Sequence, residues 1–297
     1  MLNGIINIYK ERGFTSHDVV AKLRGILRQK KIGHTGTLDP EAEGVLPVCL
    51  GKGTRLCDML ADRTKSYEAV LLLGQSTDTQ DVTGQVTAQA EVSVTEEQVR
   101  EVLSTFIGDY EQIPPMYSAL KVNGQRLYKL ARTGVEVERK ARRVTIYGLR
   151  ILEICLPRVC FAVDCSKGTY IRTLCHDAGE RLGCHGCMES LKRTRVGEFR
   201  LEDSLKLTDV ERLRDEDRLD EAVVPVDRIF VDLPGLKLHK EAAALGHNGN
   251  PFRPVQAQPV LEEERVRVYD DRGDFVGVYH YDAETGLYRP VKMFYQF

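Results

Sequence analysis

The order of strand-like and helix-like segments is the feature that most constrains the fold of this 297-residue chain. Residues 5–9 form an apolar run typical of a short buried strand, and residues 19–27 repeat apolar side chains at helical spacing. Thr15 and Asp18 resemble the capping box that opens such a helix. Because some strands follow one another directly while helices separate others, the pattern predicts an α+β fold. Further strands are expected at 45–50, 66–73, 144–156 and 159–166, and further helices at 95–106 and 169–182.

The character of the chain changes after about residue 230. Leu233-Pro234-Gly235 interrupts the regular pattern, and Arg265–Tyr269 and Phe275–Tyr281 flank a turn-forming segment, as in a β-hairpin. The sequence therefore predicts a large domain over 1–232 and a small β-rich module over 233–297, a division that suits this length.

Composition excludes several classes of protein. With 42 % hydrophobic and 29 % charged residues, the chain can bury a sizeable core and does not resemble a disordered protein. Apolar runs such as residues 69–73 are too short to cross a bilayer, and residues 1–10 lack the layout of a signal peptide. We expect a cytoplasmic protein without a membrane partner.

Eight cysteines raise the question of a metal site. Cys184 and Cys187, which flank His185, form the only close pair, and a zinc site would need two more ligands from a place such as Cys175 and His176. No second pair with metal-ligand spacing exists. The spacing favours reduced, mostly buried thiols, and we expect no metal.

The net charge of −2 conceals a basic segment. Residues 121–150 contain nine Lys and Arg side chains against two acidic ones. Such a segment suits a surface that faces phosphates, although a solvated charged face is an equally good reading of the charge alone.

Two segments carry candidate chemistry. The first, Gly33–Pro40, places His34 and Asp39 on a glycine-rich loop beside a basic helix. Asp39 followed by Pro40 is also an ordinary helix start, and from these residues alone the cap is the better reading. In the second segment, Arg172 falls in the first turn of a predicted helix, where a cation is unfavourable for the helix dipole. That position hints at a partner carboxylate.

Together these segments resemble the TruB family, the tRNA pseudouridine-55 synthases. The resemblance covers about residues 4–200, and the tail resembles the small PUA-like domain of bacterial members. Glu11, Glu43 and Gly53 depart from the residues common in the family. The matching blocks, in family order, are Gly33–Pro40 with Gly44–Pro47, Lys65–Tyr67, Leu73–Thr79 with Asp81 and Gly84, Gln112–Lys121, Ser166–Arg172 and Leu191–Arg193.

The resemblance implies a pseudouridine synthase catalytic domain, with a mixed, mainly antiparallel sheet flanked by helices and loops, followed by a PUA-like domain. It implies isomerisation of the uridine at position 55 in the T-loop of tRNA, without a cofactor. It also implies that the target base leaves its stack, and that an insertion around 110–150 clamps the RNA stem-loop. We expect a monomer with no obligate protein partner.

The resemblance also assigns roles to individual residues. Asp39 is implied as the catalytic carboxylate and Arg172 as its ion-pair partner. Tyr67 would stack on the uracil and move a proton through its hydroxyl. Supporting roles fall to His34, which fills the vacated base position, Leu191, which closes the apolar wall, Lys10, which buttresses the site, and the substrate-binding Lys65 and Tyr170. Lys121, Arg126, Arg142 and Arg143 are expected to contact RNA.

Two other classes of function fit part of the pattern. A non-catalytic RNA-binding module would use the basic segment but has no need of Asp39, Tyr67 and Arg172 together. A glycoside or nucleoside hydrolase would use Asp39 with a second carboxylate such as Glu41 or Glu43, and would release free uracil.

Overall fold

The structure is a computed structural model that describes residues 1–122, 124–135 and 137–295; the side chain of Lys121 lies outside the described part. The strands are β1 (Gly4–Lys10), β2 (Ile32–His34), β3 (Glu43–Leu50), β4 (Lys65–Leu73), β5 (Gln75–Thr77), β6 (Val86–Gln89), β7 (Gly108–Gln112), β8 (Lys121–Val122), β9 (Gln125–Arg126), β10 (Arg142–Cys155), β11 (Arg158–Cys165), β12 (Gly186–Val196), β13 (Phe199–Arg200), β14 (Val223–Val224), β15 (Gly235–Leu238), β16 (Ala257–Gln258), β17 (Arg265–Tyr269), β18 (Phe275–Asp282) and β19 (Leu287–Met293). The α-helices are α1 (Ser16–Ile26), α2 (Cys57–Ala61), α3 (Glu96–Ser104), α4 (Leu127–Arg132), α5 (Ile171–Arg181), α6 (Leu207–Asp215) and α7 (Ala243–His247).

Ten strands form the main sheet. Their order is β14-β1-β3-β12-β4-β11-β10-β7, with β2 added to β3 and β13 added to β12. The β3–β12 pair is parallel, whereas the other pairs of this sheet are antiparallel. The predicted α+β class with a mixed, mainly antiparallel sheet is therefore confirmed.

Local sequence explains where the main helices begin. Thr15 caps α1 and Thr95 caps α3, each in a capping box with the residue three positions later, as the sequence predicted. Helix α5 begins at Ile171, two residues later than predicted, and its N-cap position is held by Tyr170, which makes no side-chain capping bond. Its first turn is stabilised instead by the contacts of Arg172, described below.

Two apolar clusters hold the helices against the main sheet. One face of β4, β11 and β12 packs against α3 and α5, and this cluster also contains Leu38 and Ala42 from the loop between β2 and β3. A second cluster joins β1 and β3 to α1 and α6. The apolar residues of the loop that carries Asp39 therefore anchor it to the part of the sheet formed by β4, β11 and β12.

Part of the segment 110–150, which contains the basic residues, belongs to the main sheet. Strands β7 and β10 pair directly, with Gln112 opposite Arg142. Residues 113–141 form the excursion between them, which contains the β8–β9 hairpin and α4. The part that can act as a clamp is thus shorter than the segment 110–150 considered from the sequence.

The C-terminal module, residues 235–293, forms a separate five-stranded sheet in the order β16-β15-β17-β18-β19. The predicted hairpin is present as the antiparallel pair β17–β18. The module has its own apolar core, but Val278 and Phe294 belong to a cluster that also contains Ile5, Val45 and Phe230. The module is therefore packed against the main sheet through a shared apolar cluster.

Among the described residues, every helix is too short or too polar to span a bilayer.

Candidate active site

The loop between β2 and β3 holds Asp39 from both sides. The buried hydroxyl of Ser16 accepts a hydrogen bond from the Leu38 N–H at 2.9 Å and donates one to the Leu38 carbonyl oxygen at 3.2 Å. The Ala42 N–H donates to the Asp39 carbonyl oxygen at 3.1 Å, which closes a turn that leads into β3. No helix follows Asp39, so the reading of this residue as a helix cap is wrong. Its carboxylate is left available for other contacts.

That carboxylate forms an ion pair with Arg172. The distance from Arg172 Nε to Asp39 Oδ2 is 3.1 Å, and the side chains are 7 % and 41 % exposed, respectively. A buried cation therefore holds a carboxylate whose other side remains open to solvent. The pairing expected from the position of Arg172 in the first turn of α5 is present.

Arg172 has further partners that sequence reasoning did not assign. Its Nη1 donates to the Thr79 carbonyl oxygen at 3.1 Å and lies 3.4 Å from Asp81 Oδ2, and its Nη2 donates to the Tyr117 carbonyl oxygen at 2.9 Å. Asp81 also accepts a bond from the Thr83 N–H at 2.9 Å, which orders the loop after β5. Arg172 thus joins the Asp39 loop, the Asp81 loop and the start of residues 113–141. Asp81 belongs to a sequence block that resembles the family pattern, and that resemblance is the signal by which a role for Asp81 could have been predicted.

Tyr67 and Arg193 lie opposite each other on β4 and β12. Arg193 is 1 % exposed; its Nε donates to the Val45 carbonyl oxygen at 2.7 Å, and its other nitrogens reach the Thr37 and Gly36 carbonyl oxygens at 3.4 Å. Arg193 therefore fixes the loop that carries Asp39 to the strand next to Tyr67. Burial raises the pKa of Tyr67 to about 12, while the adjacent guanidinium acts in the opposite direction.

Sequence reasoning named Arg193 as part of a block but gave it no role. It follows Leu191 by two positions on β12, so the alternation of a strand places both side chains on one face. Leu191 is buried in the apolar cluster that contains Tyr67, opposite Ala69. Leu191 thus shares an apolar cluster with Tyr67, as the expected wall would, and the same periodicity could have found Arg193.

Two buried lysines near the site bind main-chain oxygens; Lys10 binds one in the Asp39 loop, and Lys65 binds two in the segment before β4. Lys10 Nζ donates to the Phe14 carbonyl oxygen at 2.6 Å and to that of Pro40 at 3.0 Å. Lys65 Nζ donates to the Ala61 and Arg63 carbonyl oxygens at 2.8 and 2.9 Å. Burial lowers the pKa of each lysine to about 8, and Asp39 opposes that change at Lys10. Both ammonium groups are directed at the protein's own backbone, which suits a supporting role.

His34 and Tyr170 flank the site. His34 ends β2, its Nδ1 accepts the Gly36 N–H at 3.3 Å, and its ring lies 5.5 Å from that of His17 in an edge-on arrangement. Burial, followed by the neighbouring His17, lowers the pKa of His34. The main chain of Tyr170 is held by the side chain of Gln112 at 2.7 and 2.9 Å, and burial raises the pKa of its phenol.

The four residues expected to contact RNA have different surroundings. Arg126 is exposed and its guanidinium lies 6.0 Å from the centre of the Tyr128 ring, a cation–π distance. Arg143 forms an ion pair with Asp109, whereas Arg142 is exposed and makes no ion pair with a described carboxylate. Only the backbone of Lys121, in β8, belongs to the described part, so the expectation for its side chain lies outside it.

The cysteine and histidine residues considered as zinc ligands are spread over other contacts. His185 Nδ1 lies 2.7 Å from Glu180 Oε1, Gln75 donates to Cys187 Sγ, and Cys175 and Cys184 are buried thiols. Within the described ranges, no three His, Cys, Asp or Glu side chains come together as metal ligands would. All eight cysteines are free thiols, five of them buried.

Comparison with known proteins gives matches along most of the chain. A model of the TruB family pseudouridylate synthase N-terminal domain matches residues 24–171, and a model of the tRNA pseudouridylate synthase B C-terminal domain matches residues 172–231. The tRNA pseudouridine synthase B of Lachnoclostridium phytofermentans is 51 % identical over 306 residues, which cover 99 % of this chain and 100 % of the relative. That of Bacillus pumilus is 39 % identical over 305 residues, with 100 % and 99 % covered.

Solved structures support the same assignment at the level of the fold. A chain from the Cbf5-Nop10-Gar1 complex superposes with a TM-score of 0.72 and 29 % identity, covering 98 % of this chain and 84 % of that one. A chain from an H/ACA RNP bound to a substrate RNA containing 2'-deoxyuridine gives 0.71 and 26 %, with 99 % and 85 % covered. The matched models and the full-length relatives show that this chain belongs to the TruB family of pseudouridylate synthases.

Proposed function

We propose that this enzyme isomerises the uridine at position 55 in the T-loop of tRNA to pseudouridine, with Asp39 as its catalytic carboxylate. Its full-length relatives carry the name tRNA pseudouridine synthase B. The observation that carries the proposal is the ion pair in which buried Arg172 holds the half-exposed carboxylate of Asp39. One face of that carboxylate is fixed by the protein and the other is free to meet a substrate.

The reaction breaks the N1–C1′ glycosidic bond, turns the uracil and joins its C5 to C1′. Attack on C1′, addition to C6 and removal of a proton all require an ionised carboxylate placed beside the ribose and the base. The charge-assisted hydrogen bond from Arg172 orients Asp39 for any of these steps. Because the other partners of Arg172 fix its guanidinium, little reorientation is needed when the substrate arrives.

Tyr67 and Leu191 form the proposed seat of the detached uracil. Tyr67 is presented by β4 with a ring held rigidly in the apolar cluster, and its phenol is protonated at neutral pH because its pKa lies near 12. We assign to it both the stack on the base and a proton relay, in which the hydroxyl takes the proton from C5 and gives up its own, so that N1 gains the proton that C5 loses. Leu191 excludes water from the same pocket, which keeps the cleaved base beside C1′.

Access to this seat requires that the target nucleotide leave its stack, which costs a few kcal/mol. We propose that the His34 ring, at the edge of the Asp39 loop, fills the vacated position. Lys10, Lys65 and Tyr170 act through the loops that they hold, and the exposed cations of residues 113–142 contact the RNA stem-loop.

We further propose that residues 1–232 form the catalytic domain and that residues 233–297 form a PUA-like RNA-binding domain. The separate five-stranded sheet over 235–293 supports this division. The working enzyme is proposed to be a monomer that acts in the cytoplasm, where its tRNA substrate is processed.

The experiment that tests the function uses an unmodified tRNA transcript in buffer and salt. After incubation, carbodiimide-resistant uridines are mapped, and the products are also analysed for free uracil. We expect one new resistant position, in the T-loop, with no change in RNA mass. Release of uracil would establish hydrolysis instead. Tight binding of the transcript without any new resistant position would show that the protein is a non-catalytic RNA-binding module. A transcript with cytidine at the target position serves as the control.

A further inference from the structure

Helix α1 and the turn that follows it carry a set of cations that the active site does not use. Residues 15–31 contain five Lys and Arg side chains against one acid, Asp18, which is occupied by the Thr15 capping box. The five cations are all exposed, and none forms an ion pair with a described carboxylate: Lys22, Arg24, Arg28, Lys30 and Lys31.

Helix α6, the neighbour of α1, shows the arrangement expected of an ordinary solvated face. Arg212 lies 3.6 Å from Asp209, and Arg214 lies 2.7 Å from Asp215. Both helices are amphipathic and contribute to one apolar cluster, yet only α6 neutralises its basic side chains within the protein. Lys22 lies over the Phe14 ring, and Arg24 donates to the Lys30 and Ile32 carbonyl oxygens. No described acid neutralises these cations, so their charge is left for an anionic partner.

One end of this basic surface adjoins the candidate active site. His17, in the first turn of α1, places its ring 5.5 Å from that of His34, and Ser16 clamps Leu38 beside Asp39. A nucleic acid that places a uridine at Asp39 must therefore pass close to the N-terminal end of α1.

The other end adjoins the C-terminal module. The Lys31 carbonyl oxygen accepts the Gly51 N–H at 2.9 Å, and the neighbouring Lys52 places its ammonium group 5.4 Å from the centre of the Tyr295 ring. Arg55 donates to the Met293 carbonyl oxygen in the last strand of the module. Basic side chains therefore lie along α1 and the turn after it, between the Asp39 loop and the second sheet. We call them the α1 basic track: Arg24, Arg28, Lys30, Lys31 and Lys52.

We propose that the α1 basic track binds the phosphate backbone of the base-paired stem that adjoins the target loop, and so guides that stem from Asp39 toward the C-terminal module. The 11 residues of α1 rise about 16 Å, a length that spans several phosphates of one strand. Exposed lysine and arginine side chains suit phosphates, which fix the register of a nucleic acid without reading its sequence. This inference rests on the proposed function, because the stem is that of its tRNA substrate.

The test compares two double variants that remove the same charge. Lys30→Gln with Lys31→Gln removes two cations of the track, and Arg212→Gln with Arg214→Gln removes two ion-paired cations of α6. Binding of unmodified full-length tRNA transcript is measured against salt concentration, with thermal melts of each variant as a check on folding. The track variant is expected to lower the slope of log K against log salt by about one unit for each phosphate that is no longer neutralised, and the α6 variant to leave the slope unchanged.

A second substrate identifies the part of the RNA involved. With a T-arm hairpin whose stem is cut back, wild type and track variant are expected to bind alike, because the phosphates that the track contacts are missing. Equal salt slopes for the two double variants would overturn the proposal. It would also be overturned if the track variant lost as much affinity for the shortened hairpin as for full-length tRNA, because the contact would then lie at the loop. Loss of binding to anionic phosphatidylglycerol vesicles, with tRNA binding intact, would assign the track to lipid instead. Wild-type pseudouridine formation, measured in the same samples, shows separately whether the proposed function holds.

Discussion

Four buried cations lie around the loop that carries Asp39: Lys10, Lys65, Arg172 and Arg193. Three of them bind main-chain carbonyl oxygens and no carboxylate among the described residues, and only Arg172 pairs with acids. Burying a charge is costly unless hydrogen bonds compensate it, so these side chains hold the backbone tightly. The result is a rigid frame around one solvent-accessible carboxylate.

The role of the Tyr67 hydroxyl can be isolated by removing it. Tyr67→Phe keeps the ring in its apolar cluster, so tRNA binding is expected to stay close to wild type. If the phenol transfers a proton, as we propose, the single-turnover rate should fall by about 10²–10⁴-fold. Tyr67→Leu, which also removes the stack, should lose a further 1–3 kcal/mol, roughly the worth of a base–aromatic contact. A Tyr67→Phe rate within about threefold of wild type would show that Tyr67 only stacks on the base and that its hydroxyl transfers no proton.

The buried ammonium of Lys10 predicts a specific dependence of stability on pH. Its pKa is lowered from 10.5 to about 8 by burial, so between these values the unfolded chain binds more protons than the folded one. The free energy of unfolding contributed by Lys10 therefore rises with pH across this window, by up to about 1.4 kcal/mol per pH unit.

Urea unfolding of wild type and Lys10→Met at several pH values between 8 and 10.5 measures this contribution as a difference. The stability of wild type relative to the variant is expected to increase with pH. A difference that does not change with pH would show that the ammonium group is not destabilised by its site.

Sequence reasoning found Arg172 from a local signal and found its partner, Asp39, through the family resemblance. The unfavourable place of Arg172 in a first helical turn pointed to a carboxylate, and Asp39 is that partner. It gave no role to Asp81, because no local pattern indicates the contact of this residue with Arg172. It gave none to Arg193 either, although the spacing of Arg193 from Leu191 on β12 was a signal. The cap reading of Asp39 failed because Pro40 starts a turn equally well, and tertiary contacts at Leu38 decided between the two.

At the scale of elements, segments with strong periodicity and explicit caps were predicted well, as α1, α3, β4 and β11 illustrate. The five-residue strand β7 and the short helix α4 were missed because such lengths carry little periodic signal. The parallel contact of β3 with β12 was beyond sequence reasoning, since it joins residues about 150 positions apart. That contact places Arg193 beside the Asp39 loop.

Strand β10 offers a matched test of RNA contact at neighbouring positions. Arg142 and Arg143 carry the same charge, but the latter is neutralised by Asp109 in β7. Arg142→Gln is therefore expected to lower the salt slope of tRNA binding by about one unit, and Arg143→Gln to change it much less. Filter binding at several salt concentrations measures both slopes. Equal effects would mean that the Asp109 pair opens when RNA binds.

At the scale of the whole molecule, the two sheets are joined by an apolar cluster rather than by a flexible link. Phe230, from the end of the main unit, lies 5.9 Å from Phe294 and 6.2 Å from Phe275 of the C-terminal module, measured between ring centres. This contact fixes the module at the far end of the α1 basic track. A rigid relation of this kind lets both sheets contact one RNA.

The shared cluster predicts that the two sheets unfold together. Wild type should show one calorimetric transition, and Phe294→Ala should destabilise the whole chain by about 3–5 kcal/mol, because it removes a buried ring from that cluster. Phe252→Ala, within the module's own core, serves for comparison. Two separate transitions in wild type, or a destabilisation confined to the module, would show that the interface contributes little to stability.

The most direct test of the central claim is the single-turnover rate of Asp39→Asn on unmodified tRNA, measured together with tRNA affinity. The amide keeps the shape of the side chain but removes its charge, so the account predicts a rate below about 1 % of wild type, with affinity within several-fold. Glu41→Gln, an exposed neighbour paired with Arg12, is the control and should keep the wild-type rate. Asp39→Asn activity above that level, or equally reduced rates in both variants, would contradict the assignment of Asp39 as the catalytic carboxylate.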